Sequence, residues 1–444
     1  VVAAANANRQ PQDSAHLLGV IDMSMSVRVR LIVMMLLEYA IWGSWAPILG
    51  AYLTDPRSSG GLAFSTSQSA AIYALLPLAC IIAPFLTGQL SDRYFASERL
   101  LGVLHLLGGA ALLVCARAHT YGGMWIWMLI FSLFYAPTLA LTNAVAFGHM
   151  KDSEKEFGGI RVGGTIGWIL VGWGLTMLRN VTHGITVHGA SDCLLVGAIC
   201  TLALGVLSFG LPHTPPKREG VNPLAFLGAL KLLKNRDFLI FILISFVVAT
   251  ELQFYYILTG QFLQHAMRIP AAHVPGWMTL AQLAEIVVMG VLLPLLLPKM
   301  GIRKTMVVGI LAWPIRYIVF ALCATHPNLY PLVLASLTLH GFCYVFFFTV
   351  GFIYVDRVAP PDIRSSAQSL IALVVLGVGA VVGAKFTGWI GDMFTNQATQ
   401  VTDWRGVFLV PCALTIVCAI LFPLLFRGSA AGGGSIDETE QATA

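Results

Sequence analysis

Charge is scarce in this sequence. Asp, Glu, Lys and Arg make up 11% of its 444 residues, against about 25% in a soluble domain. A core of this length does not need so much apolar surface, so the expected solvent is lipid. Metal-ligand spacing is also missing. None of the eight Cys stands in a C-x-x-C pair, and Cys80, Cys115, Cys200, Cys323, Cys343, Cys412 and Cys418 fall in apolar runs, where they read as small hydrophobes. No metal or cofactor is therefore implied. The formal net charge of +5 is scattered over many short loops, and the absence of a basic stripe argues against a nucleic-acid partner. No loop gathers His, Asp and Glu or sets a nucleophile beside a base, so an enzyme is not expected. The first 26 residues lack an apolar h-region and do not read as a signal peptide. Met23 or Met25 is a candidate start.

What the sequence has instead is hydrophobicity, 57% of its residues, in long continuous runs. Leu370 to Gly383 is one, and Ala70 to Leu86, with Pro77 and Pro84 inside it, is another. Lipid admits only helices or closed barrels. A barrel would alternate over segments of about ten residues, so these runs predict an all-α membrane protein. Twelve transmembrane helices are read at 31–53, 68–90, 100–116, 124–148, 160–178, 193–211, 238–263, 276–297, 305–324, 330–355, 366–390 and 406–426. Most have the roughly 17–25 residues that cross a bilayer.

The loops test that count. With both termini cytoplasmic, nineteen of the 26 Lys and Arg fall inside. Only Arg57, Arg117, Arg179, Arg268 and Arg405 fall outside, while Arg316 and Lys385 lie within spans. This bias obeys the positive-inside rule, and one missed helix would spoil it. The longest internal connection, 212–237, contains Pro215-Pro216-Lys217-Arg218 and an amphipathic stretch from Leu224 to Leu233. It divides the chain into an N-terminal six-helix bundle (28–211) and a C-terminal one (238–427), with disordered tails expected at 1–27 and 428–444. Paired halves around a midplane site are a common transporter plan.

Ionisable residues inside lipid are costly and point to function. Glu285 lies near the middle of the eighth span, three residues after Gln282, so both share a helix face. In the seventh span, Gln253 and Tyr256 define one face, and Glu251 lies on another, where it is either functional or a packing acid. In the fifth, Arg161, Thr165 and Trp168 line up, with Gly163, Gly164 and Gly167 leaving room for a neighbour. Arg161 reads as a cavity residue or as an inside-positive anchor. Trp42 and Trp45 of the first span either stack on a planar ring or pack. Glu38, one turn before Trp42, either carries a proton or pairs with a neighbouring helix. Asn143, His340, Tyr344 and Arg316 are weaker candidates, and His340 reads as a proton relay or as a packing residue.

Gly88-Gln89-Leu90-Ser91-Asp92-Arg93 resembles the cytoplasmic loop motif of the major facilitator superfamily. Other motifs narrow the resemblance. They are Trp42-Gly43-Ser44-Trp45, Ile160-Arg161 with Gly164-Thr165-Ile166-Gly167, Glu251-Leu252-Gln253, Gln282 with Glu285, and Ile363-Arg364 with Ser366-Ala367-Gln368. In this order, from about Val29 to Arg427, they resemble the bacterial nucleoside:H⁺ symporters of that superfamily. The resemblance implies the major facilitator fold and proton-coupled nucleoside uptake across the inner membrane, and a monomer is expected. It implies a site of Arg161, Thr165, Trp168, Gln253, Gln282 and Glu285, with Trp168, Tyr256 or Tyr344 stacking on the base and Glu285 coupling the proton. Two positions depart. Tyr256 stands where the family can carry Asn, and Val345 stands where it can carry an acid. A sugar or another polar metabolite is the alternative cargo.

Overall fold

The structure, a computed structural model, describes residues 25–90, 95–150, 153–216, 226–360, 363–396 and 398–428. They fold almost wholly into helices: α1 (Met25–Thr54), α2 (starting at Thr66), α3 (Ser97–Cys115), α4 (Tyr121–Phe147), α5 (Ser153–Thr182), α6 (Asp192–Ser208), α7 (Arg236–His265), α8 (from Val274), α9 (to Cys323), α10 (Pro327–Val358), α11 (Ser366–Met393) and α12 (Trp404–Leu425). Among the described residues, ten stretches are long and apolar enough to cross a membrane. One of them, Val274–Cys323, holds both α8 and α9. It breaks at Gly301, whose φ of 72° and ψ of 168° no helix contains. α6 is apolar but shorter, with 17 residues. Met25–Val27, expected in the N-terminal tail, are already helical. The Ser91-Asp92-Arg93 part of the loop motif and most of both tails lie outside the described residues.

Lipid tolerates a broken helix only where protein supplies the lost bonds. α1 breaks at 46–48, around Pro47. The Tyr73 hydroxyl of α2 donates to the Ala46 carbonyl and accepts from the Gly50 N–H, both at 2.9 Å. The described part of the connecting stretch after residue 225 is packed. Its short helix, Phe226–Ala229, packs on the start of α11 with Ala229 and Leu232 buried.

Hydrocarbon-facing stripes fix the orientation of the helices. On α5 these are Leu170, Trp173, Met177 and Val181; on α8, Leu283, Val287, Val291 and Leu295. The opposite face of α5 packs along α1. A Cβ at Gly167 would overlap the Leu36 carbonyl, so only glycine permits this approach.

The first six helices and the last six are joined by hydrogen bonds that cluster at one end. Asp55, after α1, is 2% exposed and accepts from Gln264 Nε2 at 2.8 Å; its other oxygen is 2.8 Å from His265 Nε2. Thr54 donates to Gln261 at 3.1 Å. Asp392 of α11 accepts from the backbone N–H groups of Thr66 and Ser67, capping α2 from across the interface. Arg179 is held by Asp192 at 2.6 and 2.9 Å and donates to the Ala271 carbonyl at 3.0 Å. These contacts form a seal. Asp55→Ala removes two of them, so peptides over 257–265 are expected to exchange amide hydrogen for deuterium several-fold faster. Unchanged exchange there would mean the acid does not hold the halves together.

Candidate functional site

Deeper between the two groups of helices, α1, α5, α7, α8 and α10 bring seven of the sequence-flagged side chains together. Arg161 of α5 lays its guanidinium over the Tyr39 ring of α1, 4.0 Å from the centroid. Gly164 makes this possible, because a Cβ there would strike both the ring and the guanidinium. Arg161 is the charged neighbour of Glu285, across the interface on α8. Glu285 is half-buried, and it shares its face with the buried Gln282, away from the Leu283 and Val287 stripe. Gln282 Oε1 has no protein donor among the described residues. A buried acceptor without a donor is costly, so a ligand hydroxyl or amide would be held there.

Aromatic rings wall the same place. Trp168 meets Trp42 edge-on, with centroids 5.8 Å apart, and tilts toward Tyr256 at 6.3 Å. Tyr344 lies within electrostatic reach of Glu285 and Arg161. It sits in a π-helical turn, Phe342–Thr349, a distortion frequent at functional sites. That turn comes close to α8 because Gly341 lies against the Ala284–Glu285 backbone. Thr165 stands one turn from Arg161, and Gln253 one turn from Tyr256. Gln253 is buried against Gly383 of α11. The set can pair a charge across two helix groups, donate and accept hydrogen bonds, and stack a flat ring.

Other flagged residues are occupied elsewhere. His340 is buried, stacked on Tyr255 at 4.6 Å, with its Nδ1 3.3 Å from Arg316 Nη1. Since Arg can only donate, that nitrogen is the acceptor and the imidazole is the Nε2–H tautomer. Arg316 is buried among Tyr255, Trp313 and Tyr317. Glu251 is fully buried on a different face from Gln253, with the Tyr317 hydroxyl donating to its backbone carbonyl at 2.8 Å. Trp45 packs on Tyr73, and Asn143 donates to the Leu139 carbonyl at 3.0 Å. Sequence reasoning missed Tyr39. Its position beside Glu38 and one helical turn before Trp42 was the available signal.

Residues 25–431 match the family described as Nucleoside H+ symporter. This chain belongs to the nucleoside H⁺ symporter family. It is 35% identical over 413 residues to YegT of Escherichia coli (strain K12), covering 91% of this chain and 95% of that protein. It is 30% identical over 421 residues to the xanthosine permease of the same strain, covering 91% and 96%. The crystal structure of the nucleoside transporter NupG superposes with a TM-score of 0.80 at 27% identity, covering 91% of this chain and all of that one. A nucleoside H⁺ symporter is a membrane carrier and not an enzyme, and the match to NupG gives the chain the major facilitator fold. Val345, the residue in place of the family's occasional acid, is fully buried beside the half-buried Tyr344. The Tyr256 departure lies in the aromatic wall.

Proposed function

We propose that this protein carries nucleosides with protons into the cell across a bacterial inner membrane, as a monomer. The observation that carries the reading is the placement of Glu285 opposite Arg161, one from each six-helix group, with Gln282 and three aromatic rings around them. In this reading Gln253, Gln282, Glu285, Thr165 and Arg161 hydrogen-bond the ribose hydroxyls and base edges. Trp168, Tyr256 and Tyr344 stack on the base. Glu285 couples the proton, because it is the acid that meets both the cargo and a cation. Residues 28–211 and 238–427 act as two bundles that rock about this site, with 212–237 joining them. The basic loops favour cytoplasmic termini. With that orientation, the contacts of Asp55, Arg179 and Asp392 lie toward the outer side.

A thermal-shift series on detergent-purified protein separates nucleosides from the alternative cargo. A ligand at a hundred times its Kd stabilises the bound state by about 2.7 kcal/mol. Uridine, adenosine, cytidine or xanthosine is expected to raise Tm by several degrees, and free ribose and glucose to leave it unmoved. A shift with sugars alone would replace nucleosides by sugars as the cargo.

A further inference from the structure

The proposed transport uses Glu285 and leaves a second buried acid without a task. Glu38 of α1 is fully buried, and His105 of α3 is 1% exposed. His105 Nε2 lies 2.9 Å from Glu38 Oε2, and the Thr138 hydroxyl of α4 donates to Glu38 Oε1 at 2.8 Å. The Tyr135 hydroxyl donates to the Glu38 backbone carbonyl at 2.7 Å. Both carboxyl oxygens are therefore engaged. The imidazole is different. Its Nδ1 is buried with no partner among the described residues.

That open nitrogen decides the charge of the cluster. With Nδ1 bare, Nε2–H donates to the carboxylate and the pair carries one net negative charge inside the bundle. With a proton on Nδ1 the pair is an imidazolium and a carboxylate, and its net charge is zero. The titratable groups around it are Tyr39 on its own helix, Cys80 on α2, Tyr135 on α4 and Arg161 on α5. The remaining acids of α3 and α6 are engaged at the helix ends, Glu98 with His213 and Asp192 with Arg179. Arg161 is the cation in this group. It sits over the ring of Tyr39, the residue next to Glu38, and Glu38 and Glu285 both act electrostatically on that ring. The ring under Arg161 is thus reached by an acid of its own bundle and by an acid of the opposite bundle.

We propose that Glu38 and His105 form a second proton-binding site, which sets how strongly Arg161 is held in its own bundle. Protonation of His105 Nδ1 neutralises the pair and releases Arg161 to Glu285 and the cargo. Loss of that proton restores a negative charge beside Tyr39 and draws Arg161 back. The proposal rests on the transport reading above. Wild-type uridine uptake tests that reading, and the comparison of variants with wild type tests the pair.

The variants are Glu38→Gln, which keeps the shape of the side chain but not its charge, and Thr138→Val, which removes a structural bond and no titrating group. Each is reconstituted in proteoliposomes and assayed in two ways, for uridine accumulation driven by a pH gradient and for uridine exchange without one. Glu38→Gln is expected to cut driven accumulation about five-fold or more and to flatten its pH profile, the range in which His titrates being about pH 5 to 8. Exchange is expected to stay within about two-fold of wild type, because the variant mimics the neutral pair and leaves Arg161 available to the cargo. Thr138→Val is expected to keep the wild-type pH profile. A Glu38→Gln protein with wild-type accumulation and pH profile would overturn the proposal, leaving the pair a packing contact. If Glu38→Gln does not fold, the imidazole ¹⁵N shifts of His105 in labelled wild-type protein decide instead. A ring whose titration moves when uridine binds supports the proposal, and a ring fixed in one state overturns it.

Discussion

Glu285→Gln is expected to abolish proton-driven accumulation of uridine and to weaken its binding by about 30-fold or more. The estimate takes the loss of a charge that faces a cation in a half-buried site as about 2 kcal/mol, where every 1.4 kcal/mol is ten-fold. Gln keeps the shape of the side chain and can still accept and donate. What it loses is the negative charge that faces Arg161 across the interface. The guanidinium is then left beside Tyr39 without its counter-charge from the opposite bundle. Calorimetry of uridine binding, together with uptake under an imposed pH gradient, reads both effects. Uptake that is undiminished and still driven by the gradient would remove Glu285 from the mechanism.

The second large effect is structural. Gly167→Ala places a Cβ on the Leu36 carbonyl, which is backbone and cannot swing aside. Overpacking ordinarily costs about 1–3 kcal/mol, and here a whole helix must move. α1 and α5 are the helices that carry Tyr39, Trp42, Arg161 and Trp168, so a shift between them also displaces the site. The variant is expected to lose most of its monodisperse peak in size-exclusion chromatography and to melt several degrees lower. Gly174→Ala, on the same helix with nothing within 4 Å of its added Cβ, is the control and should behave as wild type. Equal behaviour of the two would show that the close α1–α5 approach is not required.

The helices were legible because each announces itself locally, by an apolar run of membrane length. The two stretches that fell short of this pattern show what length hides. α6 ends at Ser208, before the expected 211, and α8 and α9 run together until Gly301 turns the chain. Arg161, Gln282 and Glu285 were legible for a related reason, since a charge or amide amid Leu, Ile and Val stands out. Tyr39 did not stand out, because a tyrosine in an apolar run looks like packing until the guanidinium above it is seen. The seal was less legible still. Asp55 and Asp392 lie in loops or at helix ends, where acids are common. Their partners are 209 and 210 residues away for Asp55, and 326 and 325 residues away for Asp392. No local pattern encodes that. Arg179 was placed by its charge in an outer loop, but it is buried within α5 because Asp192 and the Ala271 carbonyl satisfy it. The Glu38 and His105 contact is of the same kind. One acid was visible, and its partner 67 residues away was not.

The account stands on Arg161 and Glu285 acting as one unit across the two bundles, and a double-mutant cycle measures that directly. Uridine affinity is compared for wild type, Arg161→Gln, Glu285→Gln and the double variant by calorimetry. Coupled groups lose most of their worth when the first is removed, so the double variant should bind uridine about as weakly as the weaker single one. Losses that simply add would mean the two residues work independently, and the site between the bundles would have to be drawn again.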